Sequence, residues 1–155
     1  MGVKNIHIGC TQWGFKEWIG KFYREGTPAK RFLAEYATVF NTVEGNTTFY
    51  RVPSADTVQN WGAQVPDEFK FCFKFPQSIT HYKRLKDTDS DVLSFIERFD
   101  GIAPKLGPFH IQLHAGFSFS EFEVPLKRVV DEALVNCPSV ERVIVFDCLG
   151  WAPQM

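Results

Sequence analysis

Glu44, Lys74 and four histidines (His7, His81, His110 and His114) are the residues of this sequence whose chemistry could move protons. A carboxylate beside an ammonium is held ionised and can serve as a general acid or base. Imidazoles titrate close to neutrality and can shuttle protons or bind metals. Glu44 with Lys74 is therefore read as an acid/base pair, with His81, in the Ser78-Ile79-Thr80-His81 loop, as a third catalytic candidate. The structural alternative is an internal ion pair between Glu44 and Lys74 that only fills the interior. For His81 the alternative is a loop residue bonded to backbone.

Two other chemistries stay open. His7, Glu44 and His114 can supply ligands for metal-assisted phosphoester hydrolysis of the barrel-nuclease type. Against this, His110 and His114 are four residues apart on a strand, roughly 13 Å, too far to share one ion easily. Trp13, Trp18 and Tyr50 can stack on a sugar or a base, which would make the chain a non-catalytic glycan or nucleic-acid binding module, or can lie as lids over a core. Trp13, Asn46, Tyr50 and Gln112 are the substrate-binding candidates. No metal site is assigned.

Positioning these residues requires strands. Short apolar runs alternate with amphipathic helical stretches, the pattern of a parallel α/β protein. Strands are expected at Asn5–Gly9, Asn41–Asn46, Lys70–Phe75, Phe109–Leu113 and Arg142–Asp147. Thr27-Pro28 reads as an N-cap and first helical proline before Phe32, Leu33, Tyr36, Val39 and Phe40. Ser54 can cap a helix burying Val58 and Trp61. A helix over 90–101 carries Val92, Phe95, Ile96 and Phe99 on one face, and Leu126, Val129, Val130, Ala133 and Leu134 mark another.

Alternate residues on a strand face opposite ways. Ile6, Ile8, Val43, Phe71, Phe73, Phe75, Phe109 and Ile111 form an apolar set for covering helices. His7, Glu44, Asn46, Cys72, Lys74, His110, Gln112, His114 and Asp147 form the other, aimed at the C-terminal strand ends where barrel active sites lie.

Composition is that of a globular protein, with 45% hydrophobic and 23% charged residues. The 16 phenylalanines point to a Phe-rich core. A net charge of −1 gives no global attraction to nucleic acid or an anionic membrane. The four cysteines show no C-x-x-C pair or zinc spacing, and no signal peptide or transmembrane run is present, so a reduced cytoplasmic protein is expected. The nucleotide fingerprints G-x-G-x-x-G and the P-loop are absent, and no cofactor is expected.

Phe40-Asn41-Thr42-Val43-Glu44-Gly45-Asn46-Thr47-Thr48-Phe49-Tyr50, continued by Arg51-Val52-Pro53, resembles the long signature of the YecE-like family, domain of unknown function 72. Gly9-Cys10-Thr11-Gln12-Trp13, Phe69 through Pro76 with Ile79-Thr80-His81, and Leu106-Gly107-Pro108 through Gln112-Leu113 are similar to its other motifs, in the same order. The resemblance implies a TIM-barrel-like fold with Glu44, Asn46, Tyr50, Lys74, His81 and Gln112 around the site, and it implies no substrate. His114-Ala115 replaces the family's proline pair, and Val145-Phe146-Asp147-Cys148 replaces its Glu-x-Arg-His.

The expectation is a single domain over 1–155, the N-terminal portion of an incomplete (β/α) barrel with about five of eight strand units. Open sheet edges then favour self-association, by pairing with another copy or fragment. Acid/base chemistry on a small polar or phosphate-bearing ligand is the leading functional expectation. An inactive truncated remnant is the alternative.

Overall fold

The computed structural model describes residues 6–116, 118–136 and 143–146. Its centre is β2 (Lys70–Phe73), in which alternate residues are phenylalanines. Phe71, Phe73 and the following Phe75 are all fully buried, while Lys70, Cys72 and Lys74 on the other parity are half-buried. This is the expected division of the strand into a helix-facing side and an open side.

β1 (Thr42–Gly45) pairs in parallel with β2, from Thr42 opposite Lys70 to Gly45 opposite Phe73. β3 (Phe109–Gln112) pairs in parallel with β4 (Val143–Phe146). Parallel bridges from Phe71 to Leu106 and from Lys74 to His110 join the two pairs. They are closed by Gly107 N donating to Phe71 O (2.7 Å) and Phe75 N donating to His110 O (2.8 Å). The result is a mixed α/β fold with parallel strands set side by side in chain order. Asp147, expected on the last strand, lies outside the described residues.

The segment expected as the first strand runs beside β1 but forms no regular ladder over its described part. Asn41 N donates to Ile8 O and Glu44 N to Cys10 O. The other partners are side chains: Ile8 N donates to Asn41 Oδ1, and Cys10 N to the Tyr36 hydroxyl. Side-chain groups thus occupy ladder positions. Gly9 permits this close approach, because a Cβ there would stand 1.9 Å from Thr42 O. Ile6 and Ile8, expected beneath covering helices, are instead 72% and 63% exposed, since no described helix packs over them.

The helices cover the phenylalanine face. α1 (Phe32–Tyr36) buries Phe32, Leu33 and Tyr36. Thr27 does not cap it: its hydroxyl donates to Glu35 Oε1 (2.7 Å), and Pro28 stays extended ahead of a short 3-10 turn. Val39 falls beyond this shorter helix and is exposed. α2 (Thr47–Tyr50) is one turn directly after β1. α3 (Ala55–Ala63) starts as expected, with Ser54 Oγ accepting from Thr57 N.

α4 (Asp89–Glu97) buries Val92, Phe95 and Ile96, and Phe99 follows it into the core. α5 (Phe119–Asn136) buries Val129 and Ala133 but leaves Leu134 41% exposed. Phe73 stacks on Phe99 with ring centres 4.2 Å apart, and Phe75 meets Phe95 and Phe109. Among the described residues no helix is long and apolar enough to cross a membrane.

Tyr36 ties α1 to both edge segments. Its hydroxyl accepts from Cys10 N (2.6 Å) and donates to Thr42 O (2.9 Å), and the side chain is fully buried. Burial pushes the phenol up to about 12. Tyr36→Phe strands a buried N–H and a carbonyl, so urea denaturation should show a loss on the order of 2 kcal/mol with an unchanged fold by circular dichroism.

Candidate functional site at the C-terminal strand ends

The carboxyl ends of β1, β2 and β3 bring Glu44, Lys74 and His110 to one side of the sheet, away from the phenylalanine core. Glu44 shares a face with Thr42, opposite buried Val43. Lys74, just past β2, is in parallel register with His110 on β3. His110 Nδ1 lies 2.8 Å from Glu44 Oε1, with side chains 11% and 26% exposed respectively. An ionised carboxylate can only accept, so Nδ1 carries the proton of this bond, and Nε2 is the basic nitrogen of the neutral ring. The hydrogen bond from His110 holds the Glu44 carboxyl below its ordinary value; burial opposes this, and the charges of His110 and Lys74 add to it.

The expected Glu44–Lys74 ion pair is therefore replaced by Glu44–His110. Lys74 Nζ instead stands 4.8 Å above the centre of the Phe49 ring. Among the described residues no carboxylate lies within 4.0 Å of it. The fold supplies this aromatic seat by starting α2 directly after β1, which brings Phe49 over the strand end.

His81 sits in a π-helical turn, Ser78–Tyr82, that follows Pro76 at the end of the β2 segment. Its ring meets Phe49 edge-on at 5.0 Å and His114 at 5.4 Å. Its Nδ1 is 2.8 Å from Thr80 Oγ1. Burial, and then the charges of His114 and Lys74, lower its pKa from the ordinary 6.5. His114 Nδ1 accepts from Gly116 N (2.9 Å), which puts the proton of the neutral ring on Nε2. Arg84 Nη2 holds the same turn by donating to Gly116 O (3.0 Å), and it also pairs with Glu121.

The loop between these groups is strained. Arg84, Leu85 and Asp87 have φ of 50°, 60° and 50°, left-handed values that cost roughly 1 kcal/mol or more each for such residues. Fully buried Leu85 anchors the loop against that cost.

The substrate-binding candidates divide. Trp13 and Asn46 line one cleft of about 210 Å³ with Gln12, Gly14, Thr47 and Trp61, and Trp13 meets Trp61 edge-on at 5.2 Å. Asn46 Nδ2 donates to Thr11 O. Tyr50 is 75% exposed and meets Phe49 edge-on at 5.0 Å. Gln112, half-buried, ends β3 on the same parity as His110.

Cys72 lies between the charged residues, but burial, and then the charge of Glu44, push its thiol up to about 12, so it is a neutral filler rather than a nucleophile. His7 is exposed, and among the described residues no three His, Cys, Asp or Glu side chains gather closely enough to hold a metal; the trio His7, Glu44 and His114 is not assembled. Sequence reasoning placed His110 on the correct face but did not select it as the partner of Glu44. Strand parity does not give stagger between strands; Phe49 appeared only inside the family signature, and Arg84 only in a candidate surface basic patch with Lys83 and Lys86.

The sequence pattern described as Protein of unknown function DUF72 matches residues 7–140. This chain belongs to the DUF72 family. UPF0759 protein YecE of Escherichia coli (strain K12) is 42% identical over 112 residues, 72% of this chain and 39% of that protein. UPF0759 protein YunF of Bacillus subtilis (strain 168) is 30% identical over 104 residues, 67% of this chain and 35% of that one. The chain thus spans well under half the length of these relatives. The crystal structure of a DUF72 family protein from Thermotoga maritima superposes with a TM-score of 0.71 at 26% identity, over 91% of this chain and 55% of that one.

Acid should act on this site in two stages. The pKa of folded His81 lies below the ordinary 6.5, so the unfolded chain takes up the proton first. Stability therefore falls as pH drops through about 6.5, until folded His81 is itself protonated. Glu44, favoured as a carboxylate by the fold, loses its contribution further down, as pH falls through its lowered folded value. Urea titrations between about pH 7 and pH 5 should show the upper decline in the native chain and a flatter one in His81→Gln.

Proposed function

We propose that this DUF72 chain carries out acid/base chemistry on a small polar molecule held at the C-terminal strand ends. His110, in the Nδ1–H tautomer, orients the Glu44 carboxylate, and Glu44, the more exposed of the two, serves as the base and returns the proton as the acid. Lys74 supplies a positive charge for the developing anion, and His81 is a second proton-transfer group beside it. Gln112, on the parity of His110, serves as a binding residue beside it, and the cleft lined by Trp13 and Asn46 and the exposed Tyr50 serve the parts of the molecule that lie further out. The reading is carried by the 2.8 Å contact between the half-buried Glu44 carboxylate and the buried His110 imidazole, with an ammonium nearby.

The test is deuterium exchange at carbon followed by proton NMR, over a panel of small hydroxy, keto and phosphorylated compounds in heavy water. The native chain should label at least one compound. Glu44→Gln should slow that labelling by about 10²–10⁴-fold. Labelling that survives Glu44→Gln, or its absence across the panel, would refute the reading.

We infer further that the strands are part of a TIM-barrel-like (β/α) arrangement that gains its missing contacts from a second copy or fragment. The motive is the order of the parallel strands together with exposed Ile6 and Ile8 on the edge segment. Light scattering on the eluting chain should return a discrete dimer or other closed assembly; a stable monomer rules the pairing out.

A further inference from the structure

We propose that Lys74, His81 and His114 form a binding site for a phosphate group, so that the molecule on which Glu44 and His110 act is a phosphate monoester; this rests on the reading of that site above. The first support is charge. Lys74 is a half-buried residue whose ammonium has a ring beneath it and no carboxylate within 4.0 Å among the described residues. Glu44, the carboxylate whose charge it feels, is already engaged by His110. An ammonium with no contacting carboxylate keeps its donors open to a bound anion.

The second support is the arrangement of donors. The Phe49 ring carries Lys74 Nζ over its face and the His81 ring at its edge, and His81 in turn touches His114. The Nδ1 of His114 is filled by the Gly116 amide, which leaves its Nε2–H to donate. The charged and titratable groups around this cluster are Glu44 and His110 from the strands and Arg84 from the loop, and Arg84 is engaged with Gly116 O and Glu121.

A tetrahedral dianion offers several strong acceptors to such a set, where a carboxylate offers two oxygens in one plane. A metal cation is disfavoured by the ammonium in the cluster. A nucleic-acid polyanion would need a track of cations, whereas the chain carries a net charge of −1.

Calorimetric titration of the full chain with inorganic phosphate and with glycerol 3-phosphate tests this directly. Both probes should bind, the monoester more tightly because its carbon portion reaches toward Glu44 and His110. Lys74→Met and His81→Gln should each weaken binding by at least about tenfold. Lys74→Arg, which keeps the charge, should restore most of the affinity and so separates loss of the site from loss of the fold. Glu44→Gln should leave phosphate affinity equal or stronger, because it removes a nearby negative charge.

Failure of both probes to bind the native chain, or undiminished binding in Lys74→Met, would overturn the proposal. A single-stranded oligonucleotide that binds more tightly than the monoester would also overturn it, in favour of a nucleic-acid surface. Phosphate binding that persists while carbon labelling is indifferent to Glu44→Gln would uphold this site and reject the acid/base reading alone.

Discussion

The alternation of phenylalanine along β2 is the constraint from which the remainder of the molecule follows. Phe71, Phe73 and Phe75 leave water completely, and the stack of Phe73 on Phe99 fixes the polypeptide after α4 against the strand. Truncating one such ring to alanine removes on the order of 3–5 kcal/mol, a large part of the stability of a small fold. Because side chains alternate, fixing the phenylalanines on one face commits Cys72 and Lys74 to the other. The polar face is thus imposed by the apolar one.

The same logic extends through the joints between strands. β1 is held in register along its length by β2, whereas among the described residues the β2 and β3 segments are joined by two isolated bridges. One of them is Lys74 with His110, at the point where the polar side chains gather. Thr48 reinforces the region from below: its buried hydroxyl lies within hydrogen-bonding distance of both Gly45 O and Lys74 O, closing the end of β1 on the end of β2. These polar side chains therefore gather where ladder bonding is sparse and side-chain bonding takes over.

Much of the fold could be read from the sequence because it is written in period-two and helical spacing. Phe69 to Phe75, the Ser54 cap and the face of α4 all follow from residue type and position. What could not be read depends on contacts distant in sequence. The segment near Ile8 looks like a strand, yet Asn41 and Tyr36 side chains take the place of its ladder partners. Glu44 and Lys74 share a face and opposite charge, which suggested a pair; across-strand stagger gave Glu44 to His110, and the turn carrying Phe49 gave Lys74 an aromatic neighbour. Parity shows which residues face the same way, whereas the partner is decided by reach.

The left-handed loop after His81 bears on how the sequence can vary. Glycine would suit the backbone at Arg84, Leu85 and Asp87 alike. At Leu85 it would empty a fully buried place in the core, and at Arg84 it would release the guanidinium that secures the turn beside His114. Asp87 makes no comparable described contact, so it is the one of the three where mutational drift toward glycine or asparagine relaxes the chain without dismantling anything around it. Variation in this loop should accordingly collect at its third strained position and spare the first two.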